Sequence, residues 1–338
     1  MNDIHDNVFR WILDHNKSSR YNFTESGMPF LDLEKYHIDM EMREFQSSVP
    51  HMDELFRERV AELYSIEMDQ VLPTTGGSEA IQVASLYLNM NSGRIVVPVP
   101  EYEPIYRVPS SYGFNFRTES DPEGMKLSPD ESLSFTSPNN PTAIEVREKM
   151  PWFLEDSRNL AFVDETFMEF TFPQKPVTLL GKRENMFTST TMTKFYGIGP
   201  FRVGWLMGEK DVIKKLGECR FLSTGSSNAL SLYFAMKVLE RREQIRKDVM
   251  SLVQNNRKTL KSWLEKMELQ HTPIDATSFT YIFNKGREDA SEMFRKHGIL
   301  VAPGRYFMAR DGYRLCYLLP EERFSEGLDE LSKYYGGL

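Results

Sequence analysis

The sequence predicts an α/β protein with a mostly parallel central sheet flanked by helices, joined to a smaller α+β part. Three observations carry this. Short apolar runs recur between residues 95 and 207 and alternate with helical patterns, as strands do when helices cover both faces of a sheet. The texture changes after about Thr224, where a long helical stretch gives way to strands and short helices. The chain has 338 residues, 40% hydrophobic and 27% charged, enough to bury the cores of two domains.

The elements follow in order. Ser78 to about Asn89 reads as a helix, because Ala80, Val83, Ala84, Tyr87 and Leu88 share one face. Ile95–Pro98, Leu133–Ser137, Leu160–Val163, Met186–Thr191 and Val203–Met207 read as buried strands. From Ser226 to about Leu269, Ile245, Val249, Leu252, Val253, Leu260, Trp263, Leu264 and Met267 keep helical spacing. Phe279–Phe283 alternates as a strand and leads into a turn at Asn284-Lys285-Gly286. A helix at Ala290–His297, strands at Ile299–Ala302 and Tyr313–Leu318, and a helix at Glu321–Tyr335 complete the chain. These patterns place a large domain at 45–225 and a small domain at 226–338, with 1–44 attached to the latter. The first 40 residues carry no pattern that fixes their place.

The formal net charge of −8 argues against nucleic acid or an anionic membrane as the main partner. The two cysteines, Cys219 and Cys316, form neither a metal spacing nor a disulfide framework, and the six histidines show no HExxH pattern. The expectation is therefore no metal and a reducing, cytoplasmic setting. No run reaches the ~18 apolar residues of a membrane span, and the start of the chain has no signal-peptide pattern.

In open α/β sheets, ligands bind beyond the carboxyl ends of the strands. Asp164 ends one strand; it is either a helix cap or an acid that faces a ring nitrogen. Lys194 follows another, among Thr191, Thr193, Gly197, Gly199 and Arg202. A lone lysine is commonly a solvated charge. Here the hydroxyls and the guanidinium suit a phosphate, and a desolvated lysine near other cations becomes a nucleophile toward an aldehyde. Gly76-Gly77 opens the Ser78 helix, whose N-terminal N–H groups suit an anion. Tyr102 is either a core residue or a ring that stacks on another ring. Asn140 belongs to an Asn-Pro turn, or aims its amide at a ring oxygen. Each bland reading stands alone well enough. Together, an aromatic face, an amide, a carboxylate, a lysine and a phosphate cradle describe a pyridoxal 5′-phosphate site.

Over Gly76 to Arg314 the residues resemble the fold-type I, class I/II aminotransferases, of the histidinol-phosphate and aspartate aminotransferase branches. The segment Lys194–Gly204, Val163-Asp164-Glu165 and Asn139-Asn140-Pro141-Thr142 carry the resemblance. It implies that Lys194 forms the Schiff base and then shuttles the proton. Asp164 would pair with the pyridine nitrogen, Asn140 would bond the ring 3′-oxygen, and Tyr102 would stack on the ring. Gly77, Ser78 and Glu79 would offer backbone N–H groups to the phosphate, with Thr191, Thr193 and Arg202 completing the cradle. Arg314, in Tyr313-Arg314-Leu315, would grip the substrate α-carboxylate, with Ala302-Pro303-Gly304 as the turn before its strand. Asn22-Phe23-Thr24-Glu25-Ser26 resembles the family's opening strand, and a homodimer is implied.

Two positions depart from the pattern. Phe167 stands where a tyrosine hydroxyl reaches the ring 3′-oxygen, and Phe45 is the best match to a tyrosine that reaches the partner subunit's phosphate. The implied activity moves an amino group between an amino acid, or amino-alcohol phosphate, and a 2-oxo acid. Decarboxylation of a phosphorylated amino acid and an idle cofactor-binding protein are the alternatives. Arg305 is either a contact to a second anion or a solvated turn residue.

Overall fold

The computed structural model describes residues 6–155, 158–171, 177–284, 290–309 and 311–336. Among these, the strands are β1 Tyr21–Asn22, β2 Val71–Thr74, β3 Arg94–Pro98, β4 Phe116–Glu119, β5 Glu131–Thr136, β6 Ala161–Asp164, β7 Met186–Thr191, β8 Gly204–Met207, β9 Phe279–Phe283, β10 Ile299–Leu300, β11 Ala302–Pro303 and β12 Gly312–Cys316. Seven of them form one sheet in the order β2-β8-β7-β6-β5-β3-β4. Pairing along β4, β3, β5, β6 and β7 is parallel; β8 alone runs against its neighbours.

The five expected strands of this sheet are all present, within a residue or two of their predicted ends. The two edges carry no such signal in sequence. β2 contains Pro73, tolerated because an edge strand leaves one side of its ladder unpaired. β4, Phe-Arg-Thr-Glu, is half-exposed and polar.

One face of the sheet packs against the helix Gly76–Asn91. There Phe162 and Phe187 stack at 5.3 Å, and Tyr87 meets Phe187 edge-on at 5.6 Å. On the other face Phe135 meets Phe153 at 5.0 Å. Each fully buried phenylalanine contributes roughly 1.5–3 kcal/mol, so these stacks fix the sheet on which the site stands. Parallel register sets Thr136, Asp164 and Ser189 abreast at the carboxyl end.

The remaining strands form a three-stranded antiparallel sheet, β11-β12-β9, and the parallel pair β1-β10. The expected strand Ile299–Ala302 is therefore two strands in two sheets. The expected stretch Ser226–Leu269 is two helices, Ala229–Glu240 and Arg242–Lys266, broken at Arg241. The change of axis lets Arg242 reach inward to Glu169 at 3.0 Å. The turn predicted at Asn284-Lys285-Gly286 lies, beyond Asn284, outside the described residues. A further helix, Val8–Asn16, precedes β1. No helix among the described residues is long and apolar enough to cross a membrane.

Candidate active site

The loops that leave β3, β5, β6 and β7, with the start of the helix Gly76–Asn91, surround a cavity of about 310 Å³. Gly77, Ser78, Tyr102, Asn140, Asp164, Thr191, Thr193, Lys194, Arg202 and Arg314 all line it. Among the candidate site residues, Glu79 does not. Its buried carboxylate accepts hydrogen bonds from the Thr75 N–H and the Thr224 hydroxyl. It braces the turn rather than facing the cavity.

Asp164 and Glu165 are adjacent acids at the end of β6, and they face opposite ways, as successive residues of a strand do. Glu165 accepts from the Leu179 N–H at 2.5 Å and the Thr178 hydroxyl at 2.7 Å, and burial pushes its carboxyl up to about 8. Asp164 faces the cavity. Its Oδ1 accepts from the Thr166 N–H at 3.1 Å, the Thr166 hydroxyl at 2.6 Å and the Ser189 hydroxyl at 3.2 Å. No described residue donates to Oδ2. Burial raises the Asp164 pKa, and the Thr166 and Ser189 hydrogen bonds oppose that rise. A cation opposite Oδ2 would complete the neutralisation.

The two asparagines divide their work in the same way. Asn139 is bound inward, donating to Pro100 O and Glu101 at 3.1 Å and accepting from the Thr142 hydroxyl at 2.6 Å. Asn140 turns to the cavity, and its Oδ1 accepts from Arg314 Nη1 at 2.8 Å. Tyr102 caps the helix Glu103–Ser111, and its phenol is held neutral by burial and by the nearby Asp164 charge.

The Lys194 pKa is lowered, first by desolvation, then by Arg314 and Arg202, with Glu25 opposing. This is the direction expected from the sequence, and it favours the unprotonated, nucleophilic amine. Lys149, the other enclosed lysine, is already committed: it donates to Pro98 O and Pro100 O at 3.0 Å and pairs with Glu101 at 3.5 Å.

Arg314 lies on β12, the central strand of its sheet, with its guanidinium between the rings of Phe279 and Phe307 at 5.1 and 5.2 Å. It is 4% exposed. It donates to Asn140 and, at 2.9 Å, to Thr24 O, while its Nε has no partner. No carboxylate among the described residues pairs with it. A buried cation without a counter-ion costs several kcal/mol, which an incoming anion relieves. Arg305 is turned elsewhere, over the Trp11 and Tyr306 rings at 5.3 and 4.6 Å. Phe45 meets Tyr233 edge-on at 5.5 Å, away from the cavity lining.

Several lining residues lack a local motif. Val8, Phe9, Ile12 and Leu13 of the N-terminal helix close one side of the mouth, and Thr24, Glu25 and Ser26 cross above Lys194. Gly27 permits this crossing: a Cβ there would sit 3.2 Å from Lys194 Cα and Cδ. Met28 N–H donates to Lys194 O at 2.7 Å.

Of the glycine pair, Gly76 is the tighter. Its φ is +72°, and a Cβ would meet Arg202 Nη2 at 2.7 Å. Gly76→Ala is expected to push Arg202 from its place beside Ser78. Losing one charge-assisted hydrogen bond would raise the dissociation constant for pyridoxal phosphate about tenfold, measured by absorbance titration.

A model of the family described as aminotransferase class I and II matches residues 34–331. The chain belongs to this family. A histidinol-phosphate aminotransferase of Bacillus cereus is 28% identical over 286 residues, which covers 79% of this chain and 75% of that one. The fold matches a pyridoxal-phosphate-dependent aminotransferase of Streptococcus suis with a TM-score of 0.84, at 19% identity over 100% of this chain and 99% of that one. It matches the aspartate aminotransferase of Thermus thermophilus with a TM-score of 0.79, at 18% identity over 96% and 95%. The fold is thus fold type I, and the chain is an aminotransferase-family enzyme whose cofactor is pyridoxal 5′-phosphate.

The residues present fit that group. The free Asp164 Oδ2, the unpartnered Arg314 Nε and the side-chain-free surface at Gly77, where a Cβ would lie 3.6 Å from Thr191 Cγ2, leave room and partners for a ring, a carboxylate and a phosphate.

Proposed function

We propose that this enzyme moves an amino group between an amino acid, or an amino-alcohol phosphate, and a 2-oxo acid, with Lys194 as the amine that would hold the cofactor's aldehyde carbon. The carrying observation is that Lys194, Asp164 with its open Oδ2, and the ion-pair-free Arg314 share one cavity. Bound pyridoxal phosphate supplies the electron sink for the bond broken at the substrate α-carbon. Asp164, through its open Oδ2, would hold a proton on the ring nitrogen. Asn140 would offer its amide to the ring 3′-oxygen, and Tyr102 would cover one ring face. The N–H groups of Gly77, Ser78 and Glu79, with the side chains of Thr191, Thr193 and Arg202, hold the phosphate. Arg314 takes the substrate anion in its fork and so orients the α-carbon, and the Lys194 amine moves the proton from it.

We also read residues 45–225 as the cofactor-binding domain, with 1–44 and 226–338 as the smaller one, in a cytoplasmic homodimer. Phe221 and Leu222, 74% and 80% exposed, favour a second copy that covers them.

The test is half-transamination. Cofactor-loaded protein is mixed with histidinol phosphate, aspartate, aromatic amino acids, basic amino acids and threonine phosphate, then with pyruvate or 2-oxoglutarate. At least one donor should convert the visible cofactor band and return it on addition of an oxo acid. Carbon dioxide released without a new amino acid would instead mark a decarboxylase, and no spectral change with any donor would sink the transaminase reading.

Phe167 lines the cavity edge-on to Phe279 at 4.7 Å and brings no hydroxyl to the ring 3′-oxygen. Phe167→Tyr supplies a donor that stabilises the ring phenolate. The deprotonated form of the lysine-linked cofactor gains, so its visible titration is expected about one pH unit lower than in the parent. An unchanged or higher midpoint would show that position 167 does not reach the ring.

A further inference from the structure

The charged groups of the cavity can be assigned one by one, and one remains. On the reading just given, Arg202 serves the phosphate, Asp164 the ring nitrogen, Lys194 the aldehyde carbon and Arg314 the substrate anion. Glu25 is left over. Among the described residues it has no hydrogen bond and no ion pair, although it is flanked by two pinned neighbours. Thr24 O is held by Arg314 Nη2 at 2.9 Å, and Ser26 O accepts from the Ser278 hydroxyl at 2.7 Å. Thr24 and Ser26 are buried and Glu25 is exposed, so the backbone holds this carboxylate out into the cavity.

Glu25 also lines a second cavity of about 480 Å³, whose other charged residue, among those described, is Lys194. Thus, among the described residues, no cation in either cavity is left to receive a distal carboxylate, and Arg305 is turned to the Trp11 and Tyr306 rings. One side of the mouth is apolar. Phe9 and Leu13 are 49% and 72% exposed on the N-terminal helix and line the cavity beside Val8 and Ile12. That helix is fixed at both sides: Val8 N–H donates to Glu103 at 2.8 Å and Trp11 Nε1 to Val301 O at 3.0 Å.

Resting on the assignment of Lys194, Asp164 and Arg314 above, the geometry points to Glu25 as a specificity-determining residue. It selects an amino donor whose side chain has an apolar stem and ends in a cation or a strong hydrogen-bond donor. Arg314 takes one end of such a molecule, the N-terminal helix covers the stem, and Glu25 meets the far end. An acidic side chain would bring like charge to a carboxylate in a partly desolvated site, and discrimination of this kind rests on repulsion as much as attraction.

The test uses three ligands of similar length, each with a carboxylate for Arg314: 5-aminopentanoate, hexanoate and adipate. They are titrated calorimetrically into protein loaded with pyridoxamine 5′-phosphate, which does not condense with an amine. 5-Aminopentanoate is expected to bind about tenfold tighter than hexanoate, with adipate weakest. Glu25→Gln should bring the first two within about twofold of each other, and Glu25→Lys should make adipate the tightest. Because Glu25 is exposed and unbonded, neither change removes a contact of the fold.

Adipate binding tightest to the parent protein overturns the proposal, as does a preference for 5-aminopentanoate that survives Glu25→Gln. If Glu25→Gln moves only the pH midpoint of the cofactor's visible band, the carboxylate serves Lys194 and the proposal likewise fails. Half-transamination without any preference for a cationic end sinks this inference alone. Failure of all three ligands to bind, together with no half-reaction, sinks the site assignment beneath it.

Discussion

Lys194→Ala is expected to abolish covalent trapping of the cofactor by borohydride and to lower the half-transamination rate by at least on the order of 10⁴-fold. The size follows from two losses at one atom. The amine that attacks the aldehyde carbon is gone, and so is the group that moves the proton at the substrate α-carbon. The fold should persist, because the Lys194 side chain makes no hydrogen bond among the described residues, and its backbone carbonyl, which accepts from the Met28 N–H, is unchanged by the substitution. The phosphate cradle around Ser78 and Arg202 is also untouched, so the variant should still bind pyridoxal phosphate reversibly. Small primary amines added from solution should restore a fraction of the rate, since they replace the missing proton carrier. Trapping at full yield in the variant would refute the assignment. The alternative buried amine, Lys149, is a poor substitute, because two carbonyls and Glu101 already occupy it.

Most of this site was legible before any coordinates, for a local reason. Lys194, Asn140 and Tyr102 follow strands, and Asp164 ends one, that the sequence predicts within a residue or two, so sequence neighbours predict spatial neighbours at the sheet's carboxyl end. Arg314 was legible only through resemblance; its position between Phe279 and Phe307 depends on residues far apart in the chain.

The parts that escaped share a different physical cause. β2 and β4 are edges, one with a proline and one half-exposed, so neither shows a buried strand's signature. The N-terminal helix is only nine residues long and turns Phe9 and Leu13 to a cavity rather than to a core, so its apolar face does not say what it packs against. Glu79 enters the proposed cradle only through its backbone N–H; that its carboxylate reaches across to Thr224, 145 residues away, is not visible in the local sequence. The segment Asn22–Ser26 was legible only through resemblance, which put it with the small domain or at the active-site mouth; the parts played by Glu25 and Gly27 depend on contacts with a remote segment around Lys194.

Asp164→Asn is expected to lower turnover by about 10³-fold, within the range lost when one preorganised charge partner is removed from a developing charge. The hydrogen-bond pattern explains why so small a change is so costly. Oδ1 accepts from three donors, two on Thr166 and one on Ser189, so the amide oxygen of asparagine must take that position. The amide nitrogen is then forced into the place of Oδ2. A donor faces the ring nitrogen where an acceptor stood, and the unprotonated ring is favoured. Cofactor affinity should fall much less than turnover, because the phosphate contacts are unchanged. The decisive measurement supplies a cofactor methylated at the ring nitrogen, whose positive charge needs no proton. Much of the lost rate should return in Asp164→Asn, and the visible spectrum should return toward that of the parent protein. If the methylated cofactor gives no recovery although it binds, Asp164 does not act through the ring nitrogen. Asp164→Glu would not report on this, because the longer side chain leaves Thr166 and Ser189 without their acceptor.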